Sequence, residues 1–235
     1  MKPILISEIF GPTIQGEGAL VGRPTVFVRT GGCDFRCSWC DTLYAVLPEH
    51  RASWQPMAAE QIIDEVLRLT NGQPILVTLS GGNPALQPLK SLLQLGRERG
   101  LTFALETQGS KAREWFALLD YLVLSPKPPS SKMETDWPTL QQCARLAGDA
   151  DVVWKVVVFD EADYLYARRV LELFPQGRFF LQPGNASPEL GGEFDVAGIA
   201  AKTEWLLARA LRDGWSDVVI LPQVHALLWG NKRGV

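Results

Sequence analysis

The chain has 235 residues, of which 46% are hydrophobic and 21% charged, and its formal net charge is −3 at pH 7. This composition is typical of a globular protein with one large or two small domains, and it excludes long disorder and fibrous classes. The 23 basic residues against 26 acidic ones lack the basic excess of a dedicated nucleic-acid binder. Ser7 and Glu8 interrupt the apolar start too early for a secretory signal, and no apolar run approaches the roughly 20 residues of a membrane span. We therefore expect a cytoplasmic protein with neither nucleic-acid nor membrane partners.

Short apolar runs alternate along the chain with amphipathic segments. The apolar runs predict strands at residues 25–29, 75–79, 101–105, 121–124, 152–159, 179–181 and 218–221. Runs of this kind are typical of parallel strands that are buried on both faces. The amphipathic segments predict helices at residues 58–69, 86–99, 111–119, 139–146, 161–174 and 196–211.

Repeated strand–helix units predict right-handed crossovers and a parallel sheet. About seven strands are too few for the complete eight-unit barrel. We therefore expect an α/β fold built as a partial, open parallel barrel, with a flavodoxin-like open sheet as the alternative. Because no linker or tandem repeat divides the sequence, we expect a single domain over residues 1–235.

Small and polar residues follow the predicted strands at their C-terminal ends, where parallel α/β folds bind ligands. They include Gly31 and Gly32, Gly81 and Gly82, Glu106, Ser125, Gln182 and His225. This asymmetry between the two ends of the sheet indicates an enzyme. The long irregular stretch 125–138 begins at the same rim, and loops of that length are often functional.

Three of the four cysteines form a C-x3-C-x2-C motif after the first predicted strand, at Cys33, Cys37 and Cys40. Three thiolates on a cubane [4Fe–4S] cluster leave one iron without a protein ligand, open to a small molecule. A closed zinc site needs a fourth ligand nearby. Cys143 lies about a hundred residues further on in a predicted helix, and we interpret it as a small buried apolar residue. The motif favours a cluster over the alternatives, which are zinc with a distant histidine and idle thiols.

The motif, with Trp39 before its last cysteine, resembles the signature of radical S-adenosylmethionine (SAM) enzymes. The resemblance implies that superfamily's partial parallel α/β barrel, with SAM chelated to the open iron. It also implies one-electron cleavage of SAM to methionine and a 5′-deoxyadenosyl radical. Residues 81–84, Gly-Gly-Asn-Pro, resemble the second motif of the superfamily, usually Gly-Gly-Glu-Pro, which meets the SAM ammonium group. Asn83 replaces the usual Glu, so a charge-assisted contact is lost, although an amide oxygen can still accept.

Further segments resemble the 7-carboxy-7-deazaguanine synthase family, namely residues 10–18, 22–29, 37–42, 106–109, 125–132 and 225–235. That family contracts the ring of 6-carboxy-5,6,7,8-tetrahydropterin to 7-carboxy-7-deazaguanine and releases ammonia, on the pathway to queuosine and other deazapurines. The resemblance implies that SAM is regenerated and that Mg²⁺ assists. It also implies a homodimer, and a reductant such as a flavodoxin.

The resemblance also implies a set of site residues, with no side chain in a catalytic acid–base role. The expected SAM contacts are Trp39, Cys40, Asp41, Gly81, Gly82, Asn83, Ser125, Pro126, Lys127 and Gln182. The expected substrate contacts are Ile14, Gln15, Gly16, Glu17, Arg29, Thr78, Glu106 and His225. Thr42 is the expected Mg²⁺ ligand, since a hard cation prefers oxygen. Chemically, Glu17 can accept from guanidine-like N–H groups and Arg29 can take a carboxylate bidentately.

Structural alternatives exist for several of these residues. Arg29 is alternatively a solvated charge, Thr78 a core residue and His225 a structural histidine. Glu106 and Thr42 are alternatively helix caps.

Two other functions remain open on the sequence alone. One is a radical SAM enzyme that acts on a protein, such as a glycyl-radical-enzyme activase, which would not need Arg29 and loop 14–18 as a small-molecule pocket. The other is a non-enzymatic zinc or iron–sulfur module, which would not need polar residues at the strand ends.

Overall fold

A computed structural model describes residues 2–186 and 194–235, and its described residues form one mixed sheet of nine strands. The strands are β1 (Ile4–Ile14), β2 (Pro24–Thr30), β3 (Gln55–Met57), β4 (Leu76–Gly81), β5 (Thr102–Thr107), β6 (Tyr121–Leu124), β7 (Asp151–Val158), β8 (Arg178–Pro183) and β9 (Val219–Ile220). Their order is β3-β1-β2-β4-β5-β6-β7-β8-β9. Strands β2 and β4 to β9 pair in parallel, whereas β1 is antiparallel to both β2 and β3. The predicted open, partial parallel barrel is confirmed.

Helices connect the parallel strands and cover one face of the sheet. They are α1 (Leu43–Val46), α2 (Ala59–Leu69), α3 (Lys90–Glu98), α4 (Trp137–Leu146), α5 (Glu161–Leu173), α6 (Val196–Arg212) and α7 (Val224–Trp229). Within the described ranges, none of these helices combines the length and the apolar character that crossing a bilayer requires.

Alternation along the strands separates a packed face from a cavity face. In β7, Trp154 and Val156 belong to the large core between the sheet and the helices, whereas Lys155 and Val157 line the cavity on the other face. Because side chains of a strand point alternately to the two faces, the same separation repeats in the neighbouring strands. The cavity face therefore receives one side chain in two from each parallel strand.

A short 3₁₀ turn, Gly18–Leu20, covers the cavity face of the sheet toward the N-terminal ends of the strands. Leu20 packs against Leu76 and Ala104, and Ala19 packs against a second buried group around Val153. These apolar contacts occupy the concave face toward the N-terminal ends of the strands. The polar cavity lies on the same face, at the C-terminal ends of the strands.

The secondary structure departs from the sequence prediction at both ends of the chain and once in the middle. Strands β1 and β3 and helices α1 and α7 were not predicted. In β1, Gly11 and Pro12 interrupt the apolar pattern, and only Ile4 and Ile6 are buried hydrophobic residues. The predicted helix at 111–119 is wrong, since that segment forms only a 3₁₀ turn anchored by the buried Phe116.

Candidate active site

A large cavity opens at the C-terminal ends of the parallel strands. Cavity-facing positions supply Arg29 from β2, Ser80 from β4, Glu106 from β5, Lys155 from β7 and Gln182 from β8. Most of these are polar or charged residues in otherwise apolar strands, so the strand ends carry the chemistry that the sequence pattern indicated.

The cavity brings together most of the residues predicted for the site. Its lining includes Ile14, Gln15, Glu17, Arg29, Cys33, Cys37, Trp39, Cys40, Asp41, Thr42, Gly81, Gly82, Glu106, Ser125, Lys127, Gln182 and His225. Four predicted residues, Gly16, Thr78, Asn83 and Pro126, are not part of that lining.

The positions of Gly16 and Thr78 have a structural explanation. A Cβ at Gly16 would collide with the ring of His225, so glycine makes room for α7 to pack on the chain after β1. The Thr78 hydroxyl is buried 2.9 Å from the hydroxyl of Thr25 on the neighbouring strand. Thr78 thus lies in the core layer beneath the cavity, as its structural alternative proposed.

The thiols of the cysteine loop fit a cluster better than a single metal ion. Among the described residues, no three side chains of His, Cys, Asp or Glu converge closely enough to share one ion. A cubane places each thiolate on a different iron, so its ligands need not converge on one point. Burial raises the pKa of the Cys37 thiol to about 11, and a bound cation is what holds such a thiol as the thiolate at neutral pH. Cys143 is buried within α4, with Sγ 3.4 Å from the carbonyl oxygen of Gly109.

The loop after β6 clamps the cysteine loop from one side. The Ser38 hydroxyl donates to the carbonyl oxygen of Ser130 at 2.7 Å, and the Trp39 indole N–H donates to the Ser130 hydroxyl at 3.0 Å. Ser130 is fixed in turn by its backbone N–H, which donates to the buried carboxylate of Asp163 at 3.0 Å. The irregular stretch 125–138 therefore positions the cysteine loop.

The two glycines of the second motif pack backbone against backbone. Gly81 has φ +120°, and a Cβ on it or on Gly82 would collide with the carbonyl groups of Thr30 and Gly32. The N–H of Gly82 donates to Thr30 O at 3.1 Å, and the N–H of Asn83 donates to Gly32 O at 2.8 Å. Glycine is required here because β4 ends directly against the start of the cysteine loop.

The buried Asn83 side chain uses its whole hydrogen-bonding capacity inside the protein. Its amide nitrogen donates to Asp34 Oδ1 and to Ser110 Oγ, both at 3.0 Å. Its oxygen accepts from the N–H of Ala85 at 3.1 Å and from the Thr107 hydroxyl at 2.8 Å. An amide has two donors and two acceptor positions, so Asn83 ties the end of β4 to the cysteine loop and to the end of β5.

Gln108 adds a second tie between β5 and the cysteine loop. Its amide nitrogen donates to Asp34 Oδ1 at 2.8 Å and lies 3.6 Å from Cys33 Sγ. An N–H aimed at a ligand sulfur is a common feature of iron–sulfur sites. Gln108 therefore joins the side chains that position the predicted cluster ligands.

A negatively charged group of side chains lies on the cavity floor. Lys155 is 5% exposed, and its ammonium is ion-paired with Glu17 and lies 3.3 Å from Glu106 Oε2. Gln223 donates to Glu17 at 2.7 Å and Gln15 donates to Glu106 at 3.3 Å. Two carboxylates thus share one ammonium and two neutral amides.

Both members of the Lys155–Glu17 pair are ionised at neutral pH. Burial alone would raise the pKa of Glu17, but Lys155 and His225, with hydrogen bonds from Lys155 and Gln223, lower it to about 2. Burial alone would lower the pKa of Lys155, but Glu106 and Glu17 raise it above its usual value. With Glu106 as the second carboxylate, we count one excess negative charge in this group, which we call the acidic pole.

A positively charged group lies on the cavity wall formed by β1, β2 and the C-terminal segment. Glu8 accepts from Arg29 Nε at 2.8 Å, from the Tyr44 hydroxyl at 2.9 Å and from Arg233 Nε at 2.7 Å. Two guanidinium groups therefore share a single carboxylate. This group, the basic pole, carries one excess positive charge.

Thr42 directly precedes α1, but its side chain makes no capping hydrogen bond to that helix. Its hydroxyl lines the cavity and lies 3.7 Å from Cys40 Sγ. The alternative of a helix cap is therefore wrong, and the hydroxyl faces the space beside the cysteine loop. Glu106 is likewise not a helix cap, because it lies within β5.

Sequence reasoning missed several residues of both poles: Glu8, Lys155, Gln223 and Arg233. For Lys155 a signal was available, because it is the one charged residue within the apolar run 152–159. A lysine in a strand buried on both faces needs a partner. The other three carry no comparable local signal.

Comparison with known proteins agrees with the family resemblance found in the sequence. Residues 27–125 match the family described as the Radical SAM superfamily. The chain is 42% identical to the 7-carboxy-7-deazaguanine synthase of Bacillus cereus, an alignment that covers 100% of both chains. It is also 42% identical to the synthase of the same name from Bacillus subtilis, over 100% of this chain and 99% of the relative. Among solved structures, QueE from Escherichia coli has the same fold, with a TM-score of 0.70 at 21% identity over 94% of each chain.

Proposed function

The chain belongs to the 7-carboxy-7-deazaguanine synthase family of radical SAM enzymes, and from that premise we propose how its cavity binds the substrate. The proposed reaction converts 6-carboxy-5,6,7,8-tetrahydropterin to 7-carboxy-7-deazaguanine with release of ammonia. Members of the family use a [4Fe–4S] cluster and SAM. Cys33, Cys37 and Cys40 are the proposed cluster ligands.

The two charged poles of the cavity carry this proposal. The substrate has a carboxylate at one end and a guanidine-like N–H edge at the other. A carboxylate fits the basic pole, where Arg29 and Arg233 share Glu8, their one ion-pair partner within the described part of the chain. The N–H edge fits the acidic pole, where the carboxylates of Glu17 and Glu106 line the cavity. Opposite charges at the two ends of one cavity fix the direction in which a molecule of this kind binds.

The other side of the cavity is the proposed SAM site. Gly81 and Gly82 bring the backbone of β4 to the cavity beside the cysteine loop. Lys127 donates to the Ser125 hydroxyl at 3.1 Å, with its ammonium 5.7 Å from the centre of the Trp39 ring. A cation in this place suits the carboxylate of SAM. Asp41 and Gln182 line the same cavity and are the remaining proposed contacts.

When bound, the reduced cluster and SAM supply the one-electron chemistry that starts the reaction. The protein's own residues bind, orient and shield. Ala19, Leu20 and their neighbours fill the concave face below the cavity and exclude water from that side. Contacts at both poles would limit how the pterin ring can turn within the cavity.

We also propose Mg²⁺ as a third group, with Thr42 as its protein ligand. Thr42→Ala should abolish the stimulation of turnover by Mg²⁺, because the hydroxyl is the oxygen offered to the cation, whereas Thr42→Ser should keep it. Turnover titrated with Mg²⁺ in both variants measures this. Since the hydroxyl caps no helix, the unfolding free energy of Thr42→Ala should change by no more than about 0.5 kcal/mol. An unchanged Mg²⁺ response in Thr42→Ala would remove Thr42 from the site.

Further parts of the proposal rest on the family resemblance and on general chemistry. They are a single radical SAM domain over the whole chain, a homodimeric assembly, and a small electron-transfer protein such as a flavodoxin as reductant. A reducing compartment, the cytoplasm, suits three clustered thiols that must bind iron rather than pair as disulfides.

The function is tested by anaerobic reconstitution with iron and sulfide, followed by SAM, Mg²⁺, a reductant and the carboxy-tetrahydropterin. We expect formation of 7-carboxy-7-deazaguanine and ammonia without net consumption of SAM. Chromatography of the products and of the remaining SAM measures both. Cleavage of SAM that the pterin leaves unchanged, with no deazaguanine formed, would contradict the proposed substrate.

A further inference from the structure

The burial of Lys155 needs an explanation that the proposed chemistry does not supply. The residue is 5% exposed, and its neighbours along β7 include Val153, Trp154, Val156 and Val157. An apolar side chain of similar volume would pack in this strand without the cost of desolvating a charge. The role of the charge is therefore to be found in the groups that the ammonium contacts.

Those groups are two carboxylates from different parts of the fold. Glu17 comes from the chain after β1 and Glu106 from the middle of the sheet, and both contact the Lys155 ammonium. Two partly buried carboxylates that contact the same ammonium repel each other, and without that cation one of them takes up a proton. A protonated carboxyl has lost part of its capacity to accept hydrogen bonds.

Resting on the proposed pterin substrate, we propose that Lys155 is a positioning residue that determines substrate specificity. Its ammonium contacts both Glu17 and Glu106 and holds the two carboxylates beside each other, so that the pair accepts from the 2-amino group and the ring N–H of the pterin. Gln223 and Gln15 fix the two carboxylates from their other sides.

The acceptor capacity of the pair is sufficient for this role. An ionised carboxylate offers about four acceptor positions. Lys155 and one glutamine use two of them on each of Glu17 and Glu106, so positions remain for a ligand in the cavity that both residues line. The pterin edge has two adjacent N–H donors, the 2-amino group and the ring N–H, and the acidic pole has two adjacent carboxylates to accept from them. A ring with a carbonyl oxygen in place of the 2-amino group would instead direct that oxygen at a carboxylate.

The test is a binding titration on the reconstituted enzyme with SAM and without reductant. The probes are 6-carboxypterin and its 2-oxo analogue 6-carboxylumazine, followed by fluorescence between about pH 6 and about pH 8. Wild type should prefer the pterin. Lys155→Met should bind it about tenfold more weakly or worse and should lose most of the preference over the analogue.

The pH profile separates a charge effect from lost packing. In wild type the pKa of Glu17 is about 2, so Glu17 stays ionised over this range and adds no pH dependence. In Lys155→Met a carboxylate with a raised pKa gains its charge as the pH rises, so the affinity relative to wild type should increase with pH. The other titratable group facing Glu17 is His225. His225 is present in both proteins, so the ratio of affinities removes most of its contribution.

The double variant Lys155→Met/Glu106→Gln is the matched control. It restores the single excess negative charge of the wild-type group, so its pH profile should be flatter than that of Lys155→Met. If Lys155 only fills space, the double variant will bind more weakly than Lys155→Met, and the pH profiles of wild type, Lys155→Met and the double variant will not differ. Retained cluster absorbance shows that each variant is folded.

Two results would overturn the inference, for different reasons. Equal pterin affinity and pH profile in wild type and Lys155→Met would remove Lys155 from recognition while leaving the proposed function intact. Absence of pterin binding by wild type would overturn the proposed function itself and the inference with it.

Discussion

Replacing any one of Cys33, Cys37 and Cys40 by alanine is expected to abolish both the cluster and the activity. Each thiolate holds a different iron of the cubane, so two thiolates cannot retain a cluster that keeps one iron open. The anaerobically purified variants should lack the brown colour, and their iron and sulfide content should fall to background. Turnover of the pterin should then be undetectable.

Cys143→Ala is the matched control, because it removes a buried cysteine that is not part of the cavity lining. This variant should keep the colour, the iron content and the activity. Its only expected loss is in stability, through removal of a buried sulfur from α4, by roughly 1 kcal/mol. A colourless Cys143→Ala alongside a brown single variant of the motif would contradict the ligand assignment.

Arg29→Ala is expected to weaken pterin binding much more than it slows SAM cleavage without substrate. The guanidinium is the proposed partner of the substrate carboxylate, and losing one side of a desolvated charge pair costs about 2 kcal/mol or more, roughly a 30-fold change in affinity. Arg29→Lys should recover only part of this loss, because lysine keeps the charge but not the planar fork. A pterin titration and a SAM-cleavage assay on the same preparations separate the two effects.

The structure offers a control with the same chemical change at the surface. Arg68 pairs with Glu65 on α2, and its side chain is 66% exposed. Arg68→Ala should leave pterin affinity unchanged and have little effect on the free energy of unfolding, because an exposed ion pair contributes little to stability. Equal effects of Arg29→Ala and Arg68→Ala on pterin affinity would show that Arg29 is only a structural charge.

The sequence was sufficient to predict the parallel strands of the fold. The strands buried on both faces are near-continuous apolar runs, and the run 121–124 coincides with β6. The antiparallel strand β1 was missed because it faces the cavity along part of its length, so polar residues such as Glu8 replace the expected apolar alternation. Helix α1, of four residues, is too short to show a periodic pattern.

The site was predictable where it depends on local motifs. The cysteine loop and the glycines of β4 are short segments, and each has a physical reason to occur at a strand end. The poles depend instead on contacts across the fold. Arg233 and Glu8 are 225 positions apart, and Gln223 and Glu17 are 206 apart. These residues pair because the C-terminal segment packs back against β1 and the residues after it. A local sequence pattern cannot predict such a contact.

The side chain of Asn83 has a consequence for how this sequence can vary. Its amide donates to Asp34, so the two positions form one hydrogen-bonded unit between the second motif and the cysteine loop. Asn83→Glu, which would restore the motif usual in the superfamily, would set a second carboxylate against Asp34 and remove the donor. Such a change is expected to be tolerated only together with a neutral or basic residue at position 34. Positions 34 and 83 are therefore expected to be an epistatic pair. A substitution at one position alone should disturb the loop that carries the cysteines.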